Sequence, residues 1–225
     1  MKPIIGIVAR VMYPGGMHKL VVGEEYRIAI VKHGGIPLLI LPVDDIDYGD
    51  IKYSMQNDLD DNKRKMLIET LKLCDGILMP GGFKINKFDR FICEYAIENN
   101  IPLFGICLGM QIMSNYKKEE LWNEKNNTSI NHLINEKRVV HDIFLDKSSK
   151  LYSIVQHDKF MVNSRHSFHA LPNSFFHIAA KSEDDIIEAI ENPNLKFCIG
   201  VQWHPEDMDD DTSNLLFDTF IKKLY

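Results

Sequence analysis

Apolar runs and polar breaks along the chain alternate in a way that predicts strand after helix after strand. Pro3 to Ala9 is a continuous apolar stretch broken by Gly6, as expected of a strand buried on both faces. Glu24 to Lys32 carries helical spacing through Tyr26, Ile30 and Val31, and Gly34-Gly35 stop it. Ile36 to Leu41, closed by Pro42, is a second buried strand, so this strand–helix–strand unit is expected to form a parallel crossover. The spacing predicts further helices over Lys63–Leu73 and Phe88–Asn99, strands over Gly76–Met79 and Leu103–Ile106, and a helix from Leu108. Arg10 to Gly23 is irregular, with a turn at Pro14-Gly15-Gly16, and the acidic stretch Asp44–Asn62 is expected to be a surface excursion.

Beyond Gln111 the texture changes. Tyr116 to Lys137 is rich in Lys, Glu and Asn and is expected to be a helix end followed by an exposed loop. Short β-like runs follow at Val139–Leu145, Phe160–Asn163, Phe176–Ala180, Ile186–Ile190 and Cys198–Trp203, which predict an antiparallel extension of the sheet. Ser213 to Leu224 is amphipathic, with Ser213 or Thr212 as expected N-cap. Neither an internal repeat nor a low-complexity linker is seen, so residues 1–225 are expected to form a single α/β domain.

Composition narrows the function. The formal net charge is −6, from 26 basic and 32 acidic residues, which argues against a nucleic-acid or anionic-membrane partner. The four cysteines, Cys74, Cys93, Cys107 and Cys198, lie far apart, without CxxC or metal-ligand spacing. His132, His141, His157, His169 and His177 are scattered without i, i+4 or HxH pairing, so neither a metal site nor a cofactor is expected. Met1-Lys-Pro leads straight into the first strand, with no signal-peptide pattern and no apolar stretch of membrane-spanning length. A cytoplasmic protein with reduced thiols is therefore expected.

The candidate chemistry centres on Cys107. The strand Leu103–Ile106 runs directly into it, a helix begins at Leu108, and Gly105 and Gly109 flank it. This is the pattern of a nucleophile elbow with sulfur in place of oxygen. The turn would put the thiol at a helix N-terminus, where free N–H groups favour an anion. A buried apolar cysteine ending a parallel strand is the alternative reading. A thiolate attacking an acyl carbon needs a base, a residue to orient the base, and oxyanion donors. His204 and Glu206 lie just past the run ending at Trp203, with Pro205 stiffening the turn between them. Leu108 and Gly81-Gly82 offer backbone N–H groups. Arg10, at the end of the first strand, could pair with a substrate carboxylate, although a surface position is the expectation.

Together, Gly105-Ile-Cys-Leu-Gly-Met-Gln111, Pro80-Gly-Gly82 and Gln202-Trp-His-Pro-Glu206 resemble the class I glutamine amidotransferase superfamily. Lys2-Pro-Ile-Ile-Gly-Ile7, Tyr26 to Pro42, and Ser182 to Ile190 look like its γ-glutamyl hydrolase branch, peptidase family C26. The resemblance implies a flavodoxin-like fold, a mostly parallel central sheet with helices on both faces and an antiparallel extension. It implies Cys107 as nucleophile, His204 as base, Glu206 as its orienter, and Leu108 with Gly81 or Gly82 as oxyanion hole. Gln111 matches the glutamine that helps hold a γ-glutamyl group. The C26 branch usually has Asn-Ser-x-His-His-Gln where this chain reads Asn163-Ser-Arg-His-Ser-Phe168. His166 matches, but Ser167 and Phe168 look more like the loop of glutaminase subunits, whose main chain holds the substrate's α-carboxylate. Arg165, His166, Ser167 and Phe168 are thus candidate substrate contacts, and His166 could equally be a packed structural histidine. The implied reaction is hydrolysis of a γ-glutamyl amide through a thioester. The implied partner is a small γ-glutamyl substrate, a homodimer being possible. The alternative is a glutaminase subunit that passes ammonia to a synthase partner.

Overall fold

Alternate residues of the central strands enter two different cores, so the sheet is covered on both faces. In the computed structural model of the protein, which describes residues 1–12, 16–118, 123–126, 128–134 and 139–224, the elements run in the following order. They are β1 (Ile4–Val8), β2 (Arg10–Met12), β3 (Lys19–Val21), α1 (Glu24–Lys32), β4 (Ile36–Ile40), α2 (Asp61–Leu71), β5 (Gly76–Met79), α3 (Lys87–Glu98), β6 (Leu103–Ile106) and α4 (Leu108–Ser114). Then follow β7 (Asn123–Lys125), β8 (His141–Leu145), α5 (Lys150–Val155), β9 (Lys159–Val162), β10 (Phe168–Ala170), β11 (His177–Ser182), β12 (Ile187–Glu191), β13 (Cys198–Val201) and α6 (Asp211–Lys222).

The main sheet has the order β4-β1-β5-β6-β13-β12-β11-β8-β9. The first five are parallel and the remaining four continue antiparallel. Ile77, Met79, Leu103 and Cys198 face the core built with α2, α3 and α4. Their neighbours Leu78, Phe104, Ile106, Ile199 and Val201 face the core built with α1, α5 and α6. This is the period-two logic of a doubly covered parallel sheet, which reads as unbroken apolar runs in sequence. The expected α/β fold with an antiparallel extension is therefore present. Cys74, Cys93 and Cys198 are buried core residues, as their apolar surroundings suggest.

Several local expectations are corrected. Arg10 to Gly23 is not irregular throughout: β2 and β3 pair as a ribbon, with Arg10 opposite Val21. Of the turn expected at Pro14-Gly15-Gly16, Pro14 and Gly15 lie outside the described residues. Within the expected loop after Tyr116, β7 pairs with β10, and Leu133 bridges to Arg165. Residues 119–122, 127 and 135–138 of that stretch lie outside the described residues. Helix α5 falls within a region read as β. Ser149 caps it, and the buried Glu191 carboxylate accepts the Lys150 and Leu151 N–H groups at 2.7 and 2.9 Å. An anion suits a helix N-terminus, which accounts for a fully buried acid there. The cap of α6 is Asp210, which accepts the Ser213 N–H, rather than Ser213 or Thr212. Among the described residues, no helix is long and apolar enough to cross a membrane.

Candidate active site

The elbow at Cys107 is made by its neighbours' lack of side chains. Cys107 has φ 52° and ψ −105°, a conformation that an L-residue adopts only under constraint from its surroundings. A Cβ on Gly109 would lie 2.0 Å from the Met79 carbonyl oxygen on β5, and one on Gly105 would lie 2.5 Å from Met113 Sδ. Both contacts are within the hard-sphere limit, so α4 can sit this close to the sheet only with glycine at those positions. The Cys107 N–H is anchored on Val201 O of β13 at 2.8 Å. Leu108 opens α4, so its N–H has no acceptor within the helix.

Adjacent strands bring the next two residues in. Val201 of β13 is in register with Ile106 of β6, so the segments that follow, Cys107 and His204, leave the sheet side by side. Asn163, fully buried, clamps the His204 backbone by donating to its carbonyl at 2.9 Å and accepting its N–H at 2.8 Å. His204 Nδ1 lies 2.6 Å from Glu206 Oε1, and its ring hydrogen-bonds Cys107. Burial opposes charge on this imidazole, yet the Glu206 carboxylate and the Cys107 sulfur overcome it and raise its pKa to about 10. Cys107, His204 and Glu206 are all brought together.

The two glycines of Pro80-Gly-Gly82 border the same space. A Cβ on Gly81 would meet His204 Cε1 at 2.8 Å, Tyr26 Oη at 2.9 Å and Cys107 Cβ at 3.5 Å. One on Gly82 would meet Arg10 Cδ at 2.9 Å and Leu108 Cδ2 at 3.1 Å. The Gly81 N–H donates to Tyr26 Oη at 2.9 Å. That hydroxyl also lies 3.4 Å from His204 Nδ1 and hydrogen-bonds Glu206. Burial first, then the Glu206 charge, pushes the Tyr26 phenol well above its ordinary value, so it stays protonated as a donor.

Arg10 is buried, not a surface residue. Its Nε and Nη2 donate to Pro80 O at 3.0 and 2.9 Å, and Nη1 pairs with fully buried Asp89 at 2.7 Å. In a trans peptide the carbonyl and the following N–H point in opposite directions, so holding Pro80 O aims the Gly81 N–H at Tyr26 Oη. Arg10 thus orients a site wall rather than standing free for a substrate carboxylate.

The candidate recognition residues separate into two groups. Gln111 is buried on α4 and donates to Phe168 O at 2.8 Å, tying the helix of the elbow to the 163–168 loop, while the Phe168 side chain is exposed. The Ser167 carbonyl accepts the Asn126 N–H at 2.8 Å. Arg165 pairs with Asp207 and reaches Glu206 Oε1 at 3.6 Å, so its charge is directed to the turn that carries Glu206. His166 is buried with its ring 4.8 Å from that of His132.

The model of the glutamine amidotransferase class-I family matches residues 51–223, more than three-quarters of the chain. The chain belongs to the class-I glutamine amidotransferase family. It is 29% identical to a glutamine amidotransferase-like protein of Rickettsia prowazekii (strain Madrid E), over 88% of this chain and 87% of that one. It is 29% identical to CTP synthase of Mycoplasma mycoides subsp. mycoides SC, over 69% of this chain but only 34% of that enzyme, so it spans about a third of the synthase. Among solved structures, a GMP synthase subunit from Thermoplasma acidophilum superposes with TM-score 0.69 at 15% identity, covering 100% of this chain and 94% of that one. The glutaminase domain of Trypanosoma brucei CTPS, with bound acivicin, gives TM-score 0.62 at 22% identity, covering 98% and 94%. These two likenesses are of fold.

Within a class-I amidotransferase frame, Tyr26 is the site residue that the sequence pattern does not reveal, because it registers only as an apolar helix position. Arg10 stands out in sequence only as a strand-end charge that could meet a substrate carboxylate, not as the buried partner of Asp89 and Pro80 O.

Proposed function

We propose that the protein is a cysteine-dependent amidohydrolase that cleaves γ-glutamyl amides, glutamine among them, through a γ-glutamyl thioester. The observation that carries this reading is the Cys107–His204–Glu206 chain of contacts at the N-terminus of α4, with the 2.6 Å His204–Glu206 contact at its end. His204 holds the proton that it shares with Cys107, and Cys107 Sγ attacks the γ-carbonyl carbon. His204, whose raised pKa favours holding that proton at neutral pH, then delivers it to the departing amine. Collapse of the tetrahedral intermediate leaves the thioester. Water, giving a proton to His204, attacks the same carbon, and glutamate leaves as Cys107 is regenerated. The oxyanion receives the Leu108 N–H. Because the Gly81 N–H is engaged by Tyr26, we assign the second donor to Gly82.

Gln111 and the 163–168 main chain, which it touches, are the supports we assign to the glutamyl end of the pocket. The Ser167-Phe168 departure from the C26 pattern leaves the amine side open in specificity. The family resemblance to CTP synthases supports a second reading, a glutaminase subunit that supplies ammonia to a synthase partner.

The test is ammonia or amine release from glutamine and a panel of γ-glutamyl amides by the isolated protein, with Cys107→Ala as control. The proposal expects hydrolysis by the wild type and a loss of about 10⁴-fold or more in kcat for the variant. Full activity in Cys107→Ala would overturn it. Activity that rises sharply only on adding a co-purifying synthase would favour the second reading over a standalone hydrolase.

A further inference from the structure

Three histidines from separate segments surround one buried carboxylate in the antiparallel half of the sheet. His132 Nδ1, His141 Nε2 and His166 Nε2 lie 3.5, 3.5 and 3.7 Å from Glu188 Oε1. All four residues are buried, and Glu188 is fully so. The rings of His132 and His141 are 4.6 Å apart, and those of His132 and His166 4.8 Å. Among the described residues, His141 Nε2, His166 Nε2 and both Glu188 carboxylate oxygens are buried without a hydrogen-bond partner. Such a concentration of orphaned polar atoms at one point needs a physical reason.

The outer nitrogens fix what the inner ones can do. His141 Nδ1 faces Asp142 O at 3.1 Å, and His166 Nδ1 faces Phe168 O at 3.1 Å. A carbonyl can only accept, so each of these nitrogens carries the proton, and the inward nitrogen of the neutral ring carries a lone pair. The Asn126 amide also lies 3.3 Å from His166 Nδ1, but its shorter bond, 2.9 Å, goes to His166 O. His132 Nε2 donates to Asp184 at 3.0 Å, leaving Nδ1 as the inward lone pair. Ser164 Oγ, 3.3 Å from that Nδ1, gives its own proton to His132 O at 2.9 Å. Three lone pairs thus converge on a carboxylate oxygen. A shared proton does not resolve this, because 3.5–3.7 Å is too long for an N–H···O bond.

A metal ion does. Zinc binds histidine nitrogen at about 2.0–2.1 Å and carboxylate oxygen at about 2.0–2.2 Å, so neighbouring ligand atoms of a tetrahedral site lie roughly 3.3–3.4 Å apart. The three observed N···O separations come within a few tenths of an ångström of that edge. The ligand atoms of His132, His166 and Glu188 lie within 4.8 Å of one another, and His141 Nε2 joins them through its 3.5 Å approach to Glu188 Oε1. The outer contacts also match metal-bound histidines, which pass their other N–H to a carboxylate or a backbone carbonyl. His132 and His166 also line a cleft of about 400 Å³, which gives an ion a way in. Three imidazoles and one carboxylate suit zinc, whereas calcium and magnesium seek oxygen ligands.

We propose that His132, His141, His166 and Glu188 bind one zinc-class divalent cation per chain, which pins the 163–168 loop to β8 and β12. Sequence spacing hides the site, because its four ligands come from four segments that only the folded sheet brings together.

The test strips the full-length protein with a chelator and titrates it with Zn²⁺, then with Co²⁺ as a spectroscopic stand-in. The expected result is one Zn²⁺ per chain by mass spectrometry and visible Co²⁺ bands of tetrahedral intensity. Tm should rise by roughly 5–10 °C at a hundredfold excess over Kd. Glu188→Gln and His141→Ala should each abolish the Co²⁺ bands and the Tm shift, with circular dichroism confirming that at least one of them folds. Cys107→Ala and His18→Ala should leave both readouts intact; the latter breaks the exposed His18, Asp47 and Asp50 group, another place where an ion could sit. The proposal is overturned if the wild type takes up no stoichiometric metal, or if binding persists in folded Glu188→Gln or His141→Ala. Loss of binding in Cys107→Ala or His18→Ala would equally overturn it.

Discussion

Replacing Arg10 with methionine separates two roles that one guanidinium performs, and the structure sets the size of each effect. The change leaves fully buried Asp89 without the cation 2.7 Å away. Removing one partner of a buried pair costs about 3–5 kcal/mol. For a chain of this size that lowers Tm by roughly 6–20 °C. The loss should depend on pH. Burial already pushes the Asp89 carboxyl up, with Arg10 and Asn86 opposing it, and removal of Arg10 takes away part of that opposition. A folded-state pKa above the unfolded value means that the folded state holds the proton more tightly. Stability of the variant is therefore best at acidic pH and falls as pH rises through the folded value, by up to about 1.4 kcal/mol per pH unit. Thermal unfolding of both proteins by circular dichroism, from about pH 5 to about pH 8, should show a Tm gap that widens with pH. Assayed well below the variant's Tm, kcat should fall too, because Pro80 O loses both donors and the turn that presents the Gly82 N–H is no longer held. The ceiling is the factor of about 10²–10³ known for loss of one oxyanion donor. Arg10→Lys should rescue only part, since one ammonium cannot reproduce the fork that reaches Pro80 O and Asp89 together. A Tm within about 2 °C of wild type at neutral pH, with kcat unchanged, would refute the reasoning.

Two further outcomes follow from the site. Glu206→Gln should lower kcat by about 10⁴-fold, the scale seen when the carboxylate that orients a catalytic histidine is made neutral. It should also change the alkaline limb of stability. His204 is raised to about 10 when folded, so its contribution is full below its unfolded value near 6.5 and is lost as pH rises through 10. Wild-type Tm should thus decline across that window, and the variant's decline should be shallower; identical profiles would disprove the coupling. Gly109→Ala would drive a methyl to 2.0 Å from Met79 O, a backbone atom that cannot swing away. The overpacking should cost about 1–3 kcal/mol or more, read as a lower urea midpoint with unchanged m-value. An unaltered midpoint would mean that the elbow is looser than its contacts imply.

The parallel half of the fold is legible in sequence because strands covered on both faces must be apolar throughout. The β2–β3 ribbon and the β7–β10 pair are not, since three-residue strands leave too short a pattern to read. Helix α5 hides because its cap depends partly on Glu191, far along the chain. At the site, Cys107, His204 and Glu206 stand out because their chemistry and strand-end positions coincide. Tyr26 and Arg10 act through a hydroxyl and a guanidinium that reach residues 55 and 70 positions away, a relation that no local period encodes. His132, His141 and His166 fail every spacing rule for the same reason.

The position of β13 between β6 and β12 has a consequence for how the protein is made. The strand that presents Cys107 waits for a neighbour that begins at Cys198, 92 positions after Ile106. At about 5–20 residues per second, roughly 5–20 s of synthesis separate the emergence of the two strands. Throughout that interval the nascent chain carries a completed β6 whose Leu103-Phe104-Gly-Ile106 edge lacks its native partner, a ready template for pairing with another chain.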